Sequence, residues 1–146
     1  MKDYKKIVLG VVLDDTSDEL PLKQAKSIAD EAGAELYIVH AIEHLSSYGA
    51  AYGVAAGADV EEMLMKSANE HMQKVCQSVG LDAQHCILEV GPARSVLIEN
   101  ADKLGADLVI VGSHGLHGIR LVLGSTANAV LHGAHCDVLA VRLQEN

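Results

Sequence analysis

The chain has 146 residues, 49% hydrophobic and 21% charged. This composition supports one folded domain over residues 1–146 with a substantial core and excludes a disordered chain. Twenty acidic against 11 basic side chains leave a net charge of −9, and the chain has four Tyr but no Phe or Trp. It therefore lacks the basic stripe and the aromatic platforms that hold nucleic acid. No apolar run reaches the ~18 residues that span a bilayer. Met1–Lys6 leads straight into a strand-like run without a leader's cleavage pattern, so the expected location is cytoplasmic and not membrane-bound. Cys76, Cys86 and Cys136 are odd in number and form no CxxC, which predicts reduced thiols rather than a disulfide framework.

Ile7–Leu13 is a continuous, β-branched apolar run, the pattern of a strand buried on both faces. Asp14–Asp18 supply turn and N-cap chemistry, with Ser17 or Asp18 as the expected cap and Pro21 tolerated in the first turn. Leu22, Ala25, Ala29 and Ala32 then recur at helical spacing up to Gly33, a C-cap. Leu36–Ile42 reads as a second strand. Glu43–Ala58 is a 16-residue stretch of Ser, Gly, Ala and Tyr without a period. It is either a lid carrying Tyr48 and Tyr52 or an insert that contacts a partner. Val60, Leu64, Ala68, Met72, Val75 and Val79 mark an amphipathic helix closed by Gly80. Cys86–Val90 is a weaker, edge-like strand, followed by a helix from Ala93 to Leu104 that Gly105 ends. Leu108–Val111 is a strand, Ser125–Gly133 a helix and Val138–Leu143 the last strand. Five alternations of strand and helix predict a Rossmann-like α/β/α sandwich around a parallel sheet.

The densest chemistry lies in Gly112-Ser113-His114-Gly115-Leu116-His117-Gly118, running through Arg120 to Gly124-Ser125-Thr126. This segment begins at a strand's carboxyl end and finishes at a helix N-terminus. Glycines let backbone N–H groups approach a ligand, and the helix dipole favours an anion there. It is neither a Walker P-loop nor the dinucleotide fingerprint, which follows the first strand, and tight-turn glycines without a ligand give the same pattern. His114, His117, His132, His135 and Cys136 do not complete a zinc-type spacing. Ser113 and His114 are adjacent in sequence and cannot form a hydrolytic pair, and G-x-S-x-G is absent. His40 reads as a structural polar group in a crevice wall. No residue has the setting of a catalytic nucleophile, so the chain reads as a binding module rather than an enzyme.

Several segments together resemble the universal stress protein family: Lys6-Ile7-Val8-Leu9, Val39-His40, Gly91-Pro92-Ala93, Ala106-Asp107-Leu108-Val109-Ile110-Val111-Gly112-Ser113-His114-Gly115, Leu123-Gly124-Ser125-Thr126-Ala127-Asn128-Ala129-Val130-Leu131 and Cys136-Asp137-Val138-Leu139-Ala140-Val141-Arg142. The resemblance implies a five-stranded parallel sheet in the order 3-2-1-4-5 and a homodimer through the last strand. Val138–Leu143 is in that order an apolar edge without Pro or Lys, which invites such pairing. One branch of the family binds ATP at the switch point between strands one and four through a G-x2-G-x9-G-S/T motif; another lacks the glycines and binds none. This chain stands between them. It keeps Gly112, Gly115, Gly124 and Ser125, but Leu116–Leu123 is eight residues long. Val12 also stands where ATP-binding members carry an Asp that contacts the nucleoside.

By this resemblance the adenine lies near Gly10, Val12, Ala41 and Val111, and the phosphates near Gly112, Gly115, Gly124, Ser125 and Thr126. Asp14 and Asp15 are either Mg²⁺ ligands alongside phosphate oxygens or turn-forming acids. The reading is a dimeric, ATP-binding stress-response regulator, with at most slow incidental ATPase or autophosphorylation. The alternative is a dimeric protein-interaction module of the same family that binds no nucleotide.

Overall fold

Lys6–Gly10 forms the first strand (β1), with Ile7, Val8 and Leu9 wholly buried. The computed structural model describes residues 3–43, 54–113, 115–116, 120–121 and 124–143. After β1 come helix α1 (Asp15–Ala32), β2 (Glu35–Ile42), α2 (Val54–Ser78) and β3 (Cys86–Val90), which a 3-10 turn at Ala83–His85 precedes. Then follow α3 (Ala93–Leu104), β4 (Leu108–Ser113), the two-residue strands β5 (Gly115–Leu116) and β6 (Arg120–Leu121), α4 (Ser125–Gly133) and β7 (Asp137–Arg142). The main sheet is parallel and ordered β3-β2-β1-β4-β7. This is the 3-2-1-4-5 order that the resemblance implies, with β7 as its fifth strand. β5 and β6 form a separate antiparallel pair where a continuous loop is expected from sequence.

Both faces of the sheet are covered. Ile7, Leu9, Ile38 and Ile110 pack with Ala25 and Ala29 of α1 and with Met72 and Val75 of α2. Val8, Val39, Val109 and Val111 pack with Val96, Leu97 and Ala101 of α3 and with Ala127 and Val130 of α4. Alternate residues of one strand thus feed opposite layers, and β1 and β4 therefore read as unbroken apolar runs. No described helix is long and apolar enough to cross a membrane.

Three local expectations are corrected. The first strand ends at Gly10 rather than Leu13, because Leu13 takes a positive φ of 58° that turns the chain out of the sheet. The cap of α1 is Asp14, not Ser17 or Asp18: Thr16 N–H donates to Asp14 Oδ1 at 3.2 Å. Its position just before the helix lets its short carboxylate reach a free N–H of the first turn. The stretch taken from sequence as a loop over Glu43–Ala58 is helical from Val54 onward, because Ala and Gly near a helix start offer no contrary period. Tyr48 and Tyr52 lie outside the described residues.

At the amino end of β2, Tyr37 O–H donates to Glu35 Oε2 at 2.7 Å, and the Tyr37 ring lies 4.7 Å from that of His85. His85 Nδ1 contacts Asp82 Oδ1 at 2.6 Å. The Tyr37 hydroxyl, helped by Lys6 and His85, holds the Glu35 carboxyl below its usual value. The His85 contact does the same for Asp82. Both carboxylates therefore contribute stability above the unfolded pKa that is lost as pH falls through their lowered values. In a carboxyl NMR titration, Tyr37→Phe is expected to move the Glu35 midpoint up towards 4.5 and to leave Asp82 in place.

Candidate functional site

β1 and β4 are neighbours in the sheet, yet their connections leave in opposite directions along it: β1 leads on to β2, β4 to β7. Such a switch point opens a crevice at the strands' carboxyl ends. A cavity of about 310 Å³ lies there, lined on the sheet side by Gly10, Val12, His40, Ala41, Val111 and Gly112. Ala93 and Leu97 close it from α3, and Gly124, Ser125 and Thr126 from the start of α4. Its volume is at the small end of the range for small-molecule sites. Eight of the nine residues singled out from sequence therefore meet around one cavity. The ninth, Gly115, sits in β5 and is not among the residues that line it.

The walls are chiefly aliphatic, with a few polar groups among them. The helix α4 begins at Gly124 with no side chain capping its N–H groups, and Ser125 and Thr126 add hydroxyls. α3 also begins beside the cavity without a side-chain cap, after Pro92. Free N–H groups and the positive ends of the two helix dipoles face this region, which suits an anion. Glu43 and His40 add further polar groups to the lining. Gly10 is required for packing: a Cβ there would lie 2.9 Å from the Leu97 methyl carbons.

The mouth is shaped by a loop that sequence reasoning did not resolve. Val11 N–H donates to Val39 O at 3.0 Å, and His40 Nδ1–H donates to Val11 O at 2.8 Å, fixing the imidazole tautomer. Asp18, only 6% exposed, accepts from Val12 N–H at 3.0 Å and from Asp14 N–H at 3.2 Å. Burial pushes the Asp18 carboxyl above 3.8, while the N–H groups of Val12, Asp14 and Leu13 and the nearby His40 pull the other way. Asp18 is thus a loop clasp. The available signal was an acid three residues beyond Asp15, on the buried stripe of Pro21, Ala25 and Ala29. Val12 itself is 57% exposed and offers the crevice methyl groups and no acceptor beyond its backbone.

Asp14 and Asp15 do not line the crevice. Asp14 caps α1 and accepts from the Ser17 hydroxyl, while Asp15 contacts His71 Nε2 at 2.7 Å. His135 contacts Asp102 at 3.1 Å, and the described residues contain no group of three or more His, Cys, Asp and Glu able to hold a metal ion. A larger hollow of about 630 Å³ between α1 and α2 is open and lined by charged side chains such as Asp15, Glu19, Glu70 and Lys74. It lies along the surfaces of two helices, and its walls are side chains of α1 and α2.

An open parallel sheet covered on both faces, with a glycine-walled crevice at its switch point, defines a small α/β sandwich. The model of the universal stress protein family matches residues 3–142, and the chain belongs to that family. It is 54% identical over 144 residues to universal stress protein A homolog 2 of Coxiella burnetii, covering 99% of each chain. Among solved structures it resembles that of the hypothetical protein MJ0577, with a TM-score of 0.78 at 23% identity, covering 99% of this chain and 100% of that one. It also resembles a universal stress protein in complex with cAMP, with a TM-score of 0.59 at 27% identity, covering 98% and 100%.

Proposed function

We propose that the crevice binds an adenine nucleotide, with ATP as the reference ligand, and that the chain is a stress-response regulator rather than an enzyme. The observation that carries this reading is the joining of aliphatic sheet walls, Ala41, Val111 and the flanks of Gly10, to the uncapped start of α4 at Gly124–Thr126 in one cavity. A purine fits the first and a phosphate the second. The solved relative bound to cAMP supports the same ligand class. Gly112, Gly124, Ser125 and Thr126 would hold phosphate, and Gly115 extends that cradle. Mg²⁺ would arrive with the phosphates, since Asp14 and Asp15 are engaged in α1.

The wider reading is a single cytoplasmic domain working as a homodimer. β7 has β4 on one side and no strand on the other among the described residues, and the partly buried Val138, Leu139 and Ala140 populate that edge. Pairing of two such edges satisfies both. The expected result of titrating nucleotide-stripped protein with ATP and Mg²⁺ in a calorimeter is binding in the micromolar range. Gly124→Val is expected to weaken it by about 10- to 100-fold through lost N–H contacts to phosphate while the far-ultraviolet circular dichroism stays unchanged.

The exposed, acceptor-free Val12 favours a second reading, a dimeric interaction module without nucleotide. Absence of heat and of any thermal shift at millimolar ATP would establish that reading over the first.

A further inference from the structure

Cys76 and Cys86 are joined by a disulfide, with Cα atoms 6.5 Å apart, against the sequence expectation of three reduced thiols. The pairing was not legible because 10 positions separate the two residues and only the fold of α2 back onto β3 brings them together. Cys76, 2% exposed, lies in the core with Met72 and Val75. Cys86 is the first residue of β3, the edge strand, and all five residues of that strand are only partly buried. The two sulfurs differ in access accordingly. A cavity of about 340 Å³ opens beside them, lined by Met72, Gln73, Gln77, Leu81, Asp82 and Leu88.

We propose that Cys76–Cys86 is a thiol–disulfide exchange site that takes a dithiol reductant, and that reduction frees the edge strand β3. The reductant's thiolate attacks the more accessible Cys86 sulfur; the S–S bond breaks and its electron pair leaves on Cys76, which takes a proton. The reductant's second thiol then attacks the mixed disulfide and releases Cys86, so two electrons and two protons pass to the protein and the reductant becomes a disulfide. A peroxide reverses the change. One thiol gives up its proton and attacks a peroxide oxygen as the thiolate; the O–O bond breaks, the departing hydroxide takes that proton as water, and the other thiol condenses with the resulting sulfenic acid and releases a second water.

Three features make this pair exchangeable rather than a fixed staple. The bond closes a short loop, so the chain constraint it imposes is smaller than that of a long cross-link. Packing of Met72, Val75 and Cys76 holds the end of α2 without it. The reduced Cys86 thiol has an acceptor waiting in Asp82 O, 3.2 Å away. Among the described residues, the strand it would free is held by hydrogen bonds to β2 on one side alone. Cys136 is the remaining thiol; burial, with Asp137, Asp102 and Asp107, pushes it up and keeps it protonated.

The test uses the full chain and its Cys136→Ser variant, with thioredoxin or dithiothreitol as reductant and hydrogen peroxide as oxidant. Alkylation mass spectrometry after unfolding is expected to add one group to the oxidised full chain and three after native-state reduction, and peroxide is expected to restore one. The Cys136→Ser variant should give none and two. Amide exchange over residues 86–90 is expected to rise about tenfold on reduction, with circular dichroism unchanged. A chain that stays fully alkylatable after peroxide, a pair that opens only in denaturant, or exchange over β3 indifferent to reduction would each overturn the proposal.

Discussion

Ile110→Ala is expected to lower the free energy of unfolding by about 3–5 kcal/mol. Ile110 is wholly buried, pairs in register with Leu9 on one side and Leu139 on the other, and shares its core layer with Ile7 and Ile38 under α1. A strand fixed by ladders on both edges cannot move to fill the void, so the lost transfer energy and the cavity both count. Ile87→Ala on the edge strand removes a partly buried side chain whose surroundings can relax, and about 1–2 kcal/mol is expected there. Urea unfolding of the two variants measures the difference. Equal losses would mean that β3 is as tightly held as the sheet centre.

Asp18→Ala is expected to cost about 2–3 kcal/mol, because the N–H groups of Val12 and Asp14 lose their shared acceptor while relief from burying a charge offsets part of the loss. The pH dependence separates the two effects. With its pKa raised above 3.8 by burial, Asp18 binds its proton more tightly folded than unfolded. Stability from this group is therefore full below the unfolded pKa and declines as pH rises through the raised folded value. Asp18→Asn keeps one acceptor and does not titrate. The stability of the natural chain relative to Asp18→Asn is thus expected to fall as pH rises from below 3.8 through the raised folded value. A difference that widens with pH would show that the two N–H bonds outweigh burial and hold the carboxyl low.

The loop clasped by Asp18 also forms the crevice mouth, which ties this stability effect to the proposed ligand. Val11 is held by Val39 and His40, and Val12 and Asp14 by Asp18. Leu13 between them carries a positive φ. A mouth fixed from β2 and α1 at once presents Val12 in one position, so ligand and loop do not have to be ordered together.

The parallel sheet, the two helical layers and the bounds of α3 and α4 were legible in the pattern of residues, while the sheet order came with the family resemblance. The signal was strong wherever burial was complete: β1 and β4, buried on both faces, leave unbroken aliphatic runs, and Gly33 and Gly105 mark helix ends where the chain takes a left-handed turn. Legibility failed where a local signal had several physical solutions. Among the acids from Asp14 to Asp18 each residue type can cap a helix, and only the packing of α1 against the sheet decides that Asp14 caps while Asp18 turns inward to the loop.

What the sequence determined by itself is the class of fold, since hydrophobic periodicity dictates strand and helix and their alternation dictates a parallel sheet; the residues at the switch point are those its resemblance to the universal stress protein family implies. What only the tertiary structure decided are relations between segments far apart in the chain. These are the His40 contact with Val11, the placing of Ala93 and Leu97 on the crevice wall, and the meeting of Cys76 with Cys86. Such contacts depend on the angle and register at which whole elements pack, and no local pattern of residues encodes that geometry.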